Sequence, residues 1–146
     1  VGSAVVFDIN IDDQFLEIVG SEIKFSRLDK GAPGNLNGAW LMSARIRDGK
    51  KQERDISRPR KTMKILSGTR FQWIAYNTET KKFMATGGGS YSTVNGKYTE
   101  NIEYFSKDLT RVGMQLEFDY NLNNERWNHS GFSSKGKPID EVWIQR

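Results

Sequence analysis

The sequence predicts an all-β protein whose larger part is an eight-stranded antiparallel up-and-down barrel, preceded by a segment of three short strands. Three observations predict it. Helical periodicity is missing, because no long window keeps apolar residues at i, i+3, i+4 and i+7 without a Gly or turn residue breaking in. Short alternating runs dominate instead, separated by Asn-Gly, Asp-Gly, Asn-Asn and Ser-Gly dipeptides. From Trp40 onward eight such runs follow in order with short connections, the connectivity that closes a small barrel and removes its edge strands.

The elements run as follows. Residues 5–11 alternate and turn at Asp12-Asp13, residues 15–19 form a second strand, and Gly20-Ser21 turns the chain into 22–28. Residues 29–36 carry Gly-Ala-Pro-Gly-Asn, which is linker chemistry, so the chain divides into a β-segment (1–28), a linker (29–36) and a barrel (37–146). The barrel opens with a strand over 40–46, with Trp40, Met42, Ala44 and Ile46 on one face. Residues 47–60 are a long charged loop. A strand over 62–66 turns at Ser67-Gly68 into 70–76, and 77–81 turn into 83–93, which contains Gly87-Gly88-Gly89. Glycines inside a strand permit a bulge or sharp bend. A phosphate-cradling loop would need a following helix and a Lys-Ser/Thr pair that are not there. Asn95-Gly96 predicts a type I′ hairpin into 98–105. Strands over 114–122 and 126–132 flank Asn123-Asn124, and 139–145 close the barrel.

Composition narrows the function classes. The chain has 146 residues, 36% hydrophobic and 27% charged, which suits one folded domain with a core. No apolar run reaches membrane-spanning length, and no signal-like segment opens the chain. With no cysteine there is no disulfide, thiolate or cysteine-metal chemistry, and the compartment stays open. A net charge of +4, with acidic residues spread throughout, argues against nucleic acid as a partner. Membrane association is undetermined.

The first strands repeat the last ones. Phe7, Asp8, Asn10 and Gly20 fall on Phe118, Asp119, Asn121 and Gly131 at a shift of 111 residues (118 minus 7). Glu22, Ile23, Phe25 and Arg27 fall on Glu141, Val142, Ile144 and Arg146 at a shift of 119 (141 minus 22). Two readings remain: coincidence between short β-patterns, or the tail of an earlier repeat. Three strands cannot bury a core alone, so the segment needs a cover. That cover is the barrel beside it, another copy of the chain or an absent upstream half, and a homodimer through residues 1–28 is the expected one.

The alternation predicts that Phe71, Trp73, Tyr91, Tyr104, Phe118 and Trp127 point inward and form the ligand-binding wall, with His129 near the mouth. His129, the only histidine, either contacts a ligand there or is a satisfied core or rim residue. Glu100 and Glu103 lie on opposite faces, Glu117 and Asp119 share the solvent face, and no paired carboxylate has a reason to be buried. The basic residues between Arg47 and Lys64 read as a solvated mixed-charge loop. No catalytic residue, metal ligand or cofactor site stands out.

Gly38-Ala39-Trp40 at the start of the first barrel strand resembles the Gly-x-Trp signature of lipocalins. The resemblance implies that Gly38, Trp40 and Arg146 form a structural end of the barrel, with Arg146 lying across the indole. The stretches Pro59-Arg60-Lys61-Thr62-Met63-Lys64-Ile65-Leu66, Gly87-Gly88-Gly89-Ser90-Tyr91, Lys97-Tyr98-Thr99-Glu100 and Glu141-Val142-Trp143-Ile144-Gln145-Arg146 resemble a bacterial family of secreted lipocalin-like domains of unknown function, a calycin-like β-barrel. That resemblance implies a secreted or periplasmic place and brings no catalytic residues. The expectation is a non-enzymatic binding module for a small, partly apolar ligand. The alternative is a filled barrel that acts in assembly through protein–protein contacts.

Overall fold

The computed structural model describes residues 4–29 and 34–146. The predicted linker's central residues, 30–33, and residues 1–3 lie outside the described residues. The chain forms two compact units. The first is an antiparallel sheet of β1 (Ile9–Ile11), β2 (Phe15–Ile18) and β3 (Lys24–Ser26), each shorter than the alternation suggested. Asp12 holds its first turn by accepting from the backbone N–H groups of Gln14 and Phe15.

The second unit contains β4 (Gly38–Arg47), β5 (Lys50–Glu53), β6 (Arg60–Leu66), β7 (Arg70–Asn77), β8 (Lys82–Val94), β9 (Lys97–Phe105), β10 (Gln115–Asn123), β11 (Arg126–Phe132) and β12 (Pro138–Gln145). Each of β6 to β12 pairs antiparallel with the next, β6 also pairs with β4, and β12 returns to β4. This is the predicted closed eight-stranded barrel. β5 is an addition the sequence reading missed. It folds back on β4 as a hairpin through Asp48 and Gly49, both at positive φ. Asp-Gly is a hairpin dipeptide, and the surrounding charges obscured it. Asn95-Gly96 has the two positive φ values of a type I′ turn, as predicted. The next hairpin turns on Asn124-Glu125, one residue later than expected.

Paired residues share a face, so the register decides what points inward. Trp40 pairs with Lys64 and Gln145, and Trp127 with Trp143. Trp40, Lys64, Trp127 and Trp143 line the interior with Phe71, Tyr91, Tyr98 and Phe118, all buried, while Gln145 at the strand end is exposed. Leu116, Phe118 and Tyr120 face in, while Glu117 and Asp119 are exposed and share the Lys97 ammonium at 3.5 and 2.7 Å. The predicted solvent side of that strand is therefore the observed one.

Two bulges change the inward set. Between Trp143↔Met42 and Val142↔Ala44 the β4 chain advances two residues against one, so Ser43 is the extra residue. Beyond it Arg45 takes the inner position opposite Glu141, and Ala44 and Ile46 turn outward instead of continuing the Trp40–Met42 face. On β9 the pairs Gly89↔Ile102 and Gly88↔Tyr104 leave Glu103 as the extra residue. Phe105 rather than Tyr104 then faces in. Tyr104, expected in the ligand wall, is 41% exposed on the outer side. Gly87 permits the inward packing. A Cβ there would stand 2.7 Å from Trp73 Nε1 and 3.0 Å from Phe105, whose rings meet edge to face over the glycine backbone.

Candidate functional site

One end of the barrel is solid. Trp40 is 1% exposed, donates its indole N–H to the Leu36 carbonyl at 2.7 Å and packs edge to face on Trp127, with centroids 5.7 Å apart. Gly38, at φ +129°, lets Gln145 Nε2 come within 3.0 Å of where a Cβ would stand. Arg146 does not lie across the indole. Gln145 pairs with Trp40 and takes the inward parity, so Arg146, one residue later, falls outside. Its backbone N–H donates to the Ala39 carbonyl, and its exposed guanidinium lies 3.9 Å from Met63 Sδ.

Above this plug is a buried charge cluster that alternation alone did not reveal. Lys64, assigned to the solvated loop, is 5% exposed inside the barrel because it pairs with Trp40 across β4 and β6. Its ammonium donates to Glu100 Oε1 at 2.6 Å. The Tyr98 hydroxyl donates to the same oxygen at 2.8 Å. Aromatic rings surround the ammonium, with the centroids of Tyr98 and Trp127 at 4.9 Å and that of Trp143 at 5.4 Å. An ion pair this deep keeps its charges only with such contacts, since desolvation costs each ion several kcal/mol. Burial, followed by the Glu100 charge, raises the Tyr98 phenol well above its ordinary range, so it stays a donor.

His129 stands beside this pair, 2% exposed rather than at the mouth. Neither ring nitrogen has a hydrogen-bond partner, and Nδ1 is 3.8 Å from Glu141 Oε2. It is therefore neither a rim residue nor a satisfied one. Burial, then the Lys64 charge, lowers its pKa below the ordinary 6.5 against the opposing pull of Glu141 and Glu100, so the ring is neutral at pH 7. Glu141 is also buried. Burial raises its pKa, but His129, Lys64 and Arg45 together outweigh that and leave it lowered. Arg45 Nη2 lies 3.3 Å from Glu141 Oε1.

A lowered histidine pKa has a stability consequence. Between the folded value and 6.5 the unfolded chain binds a proton that the native state does not. Stability therefore falls as pH drops through that window, by up to about 1.4 kcal/mol per pH unit. The lowered Glu141 acts with the same sign, but only below its ordinary 4.5. Urea melts of wild type and His129→Phe from pH 7.5 to 5 should show the slope in the first and its loss in the second. Equal slopes would mean that His129 titrates alike in the native and unfolded states and that its burial leaves its pKa where it was.

The cluster forms the inner wall of a cavity of about 290 Å³. Met42, Ile102, Leu116, Phe118 and Trp143 supply its apolar wall, and Lys64, Glu100, His129 and Glu141 its polar one. Arg45, Thr62, Trp73, Phe105, Ile139, Ser133 and Ser134 complete the lining. The Trp143 indole N–H, like the His129 nitrogens, has no partner. Of the residues predicted to bind ligand, Trp73, Phe118 and His129 line this space. Phe71, Tyr91 and Trp127 are buried in the core outside its lining, and Tyr104 is on the outer surface. Lys64, Glu100, Glu141 and Arg45 were missed. No local signal marked them: the pairing of Trp40 with Lys64 that carries the lysine inward joins strands far apart in sequence. Among the described residues no group of three or more His, Asp or Glu side chains could hold a metal ion.

Comparison with known proteins bears on the barrel alone. Its fold is similar to the crystal structure of a lipocalin-like protein from Bacteroides uniformis ATCC 8492, with a TM-score of 0.53 and 16% identity over 77% of this chain and 100% of that one. It is similar also to an uncharacterized protein from Bacteroides eggerthii DSM 20697, with a TM-score of 0.52 and 12% identity over the same shares. No curated protein matches the chain. Residues 35–145 match the model of a domain of unknown function, DUF4488. With most of its length matched, and with the eight-stranded lipocalin-like barrel in place, the chain belongs to the DUF4488 family.

Proposed function

We propose that the barrel binds a small, partly apolar ligand with an uncharged polar head, and does so without catalysing a reaction. The observation that carries this reading is the cavity wall on which buried nitrogens of His129 and Trp143 stand unpaired. A buried donor without a partner costs about 1–3 kcal/mol, a penalty that a ligand's polar head or a water removes. The space corresponds to about ten waters at roughly 30 Å³ each, at the small end of ligand pockets. The head should be neutral because the charges already cancel. Lys64 meets Glu100, Arg45 meets Glu141, and His129 is uncharged. An ionic ligand would have to break one of these pairs.

Isothermal titration with 2-naphthol and with naphthalene-2-carboxylate tests this, alongside native mass spectrometry of the purified protein for a retained small molecule. The expected result is binding of the neutral compound alone, weakened about tenfold by His129→Phe, the loss of one hydrogen bond. Tighter binding of the carboxylate would overturn the uncharged head. No binding of either compound, together with no retained mass, would leave the filled-barrel assembly reading in its place.

A further inference from the structure

The sheet β1–β3 repeats not only residues of β10–β12 but also their pairing. Ile9↔Ile18, Asn10↔Glu17 and Ile11↔Leu16 become, at a shift of 111, Tyr120↔His129, Asn121↔Asn128 and Leu122↔Trp127, all of which are pairs in the barrel. The third strand follows. Phe15↔Ser26, Leu16↔Phe25 and Glu17↔Lys24 correspond to Arg126↔Ile144, Trp127↔Trp143 and Asn128↔Val142. Its shift is 118 (143 minus 25), one less than the sequence match indicated, so Phe25 stands for Trp143.

This equivalence assigns faces. Ile9, Ile11, Leu16, Ile18 and Phe25 occupy positions whose counterparts Tyr120, Leu122, Trp127, His129 and Trp143 share the inward face of the barrel. The opposite face carries Glu17 and Lys24, ion-paired at 2.6 Å as on a solvent surface. Yet the apolar face is open, with Ile11 64% and Phe25 53% exposed. A two-faced sheet of this kind specifies its register through one buried face, and among the described residues that face is exposed.

We propose that residues 4–28 are the closing three strands of a second barrel of the same kind, and that the polypeptide upstream of them supplies its other five strands. Strand order identifies the occupant. In the barrel these are the last three strands, so the strands that cover them precede them in the chain. Both edges of the sheet, β1 and β3, correspond to strands that are paired on both sides in the barrel, β10 with β9 and β12 with β4. The eight barrel strands close on themselves, and the edge left over is that of β5, four exposed polar and charged residues with no apolar side chain to offer such a sheet. The second barrel differs inside. Ile18 and Ile23 stand where His129 and Glu141 face each other, so this rung is apolar.

Hydrogen exchange read by mass spectrometry tests the assignment on the polypeptide as the cell translates it and on the present 146-residue chain. In the former, amides of β1–β3 should exchange about a hundredfold more slowly than in the latter, approaching those of β10–β12. Leu16→Asp, at the position equivalent to Trp127, should abolish that protection and leave exchange of residues 38–145 unchanged. Fast exchange in both proteins, or protection that survives Leu16→Asp, overturns the proposal. So does protection in the 146-residue chain that grows with protein concentration, which would make a second copy the cover.

Discussion

Glu100→Gln should lower the stability of the barrel by about 3–5 kcal/mol, because it leaves the Lys64 ammonium buried without its counter-charge. The shape hardly changes, and Gln still offers an oxygen to the Tyr98 hydroxyl, so the loss isolates the charge. Adding Lys64→Met to Glu100→Gln should return most of the stability, since a neutral interior of similar volume tolerates the site better than a lone ion. A double-mutant cycle in urea melts measures this coupling directly. If Glu100→Gln costs less than about 1 kcal/mol, the ammonium is reached by water, and the cavity is a wet mouth rather than a closed wall. The same pair bears on binding, because its integrity is what makes an uncharged ligand head the better match.

Trp40→Ala should cost a similar 3–5 kcal/mol, through a different cause. The substitution removes a fully buried ring, its contact with Trp127 and the hydrogen bond to Leu36, leaving a cavity at the plugged end. Trp40→Phe keeps most of the packing and loses only the indole N–H, so about 1 kcal/mol is expected there. Denaturant melts of the two variants separate packing from hydrogen bonding. A loss below about 1 kcal/mol for the alanine variant would mean that the end is held shut without the tryptophan. Arg146→Ala should be nearly silent by comparison, because its exposed guanidinium rests on Met63 and not on the indole.

The residues of this chain determine a good deal without any coordinates. Turn dipeptides and strict alternation are local properties, so the eight barrel strands, the type I′ turn at Asn95-Gly96 and the inward set of Phe118 and Trp127 are legible from neighbours in sequence. The likeness of the first strands to the last is legible for the same reason. What alternation cannot carry is register, which depends on residues far apart in the chain. Only the folded sheet decides that Ser43 and Glu103 bulge, which turns Arg45 and Phe105 inward and Ala44 and Tyr104 outward. Only the pairing of β4 with β6 sends Lys64 into the interior, to meet a Glu100 that lies 36 positions away in sequence. A lysine in a strand carries the same local signal on either face. Which face is buried is a property of the closed barrel, and so the cluster that forms its cavity wall belongs to the tertiary structure.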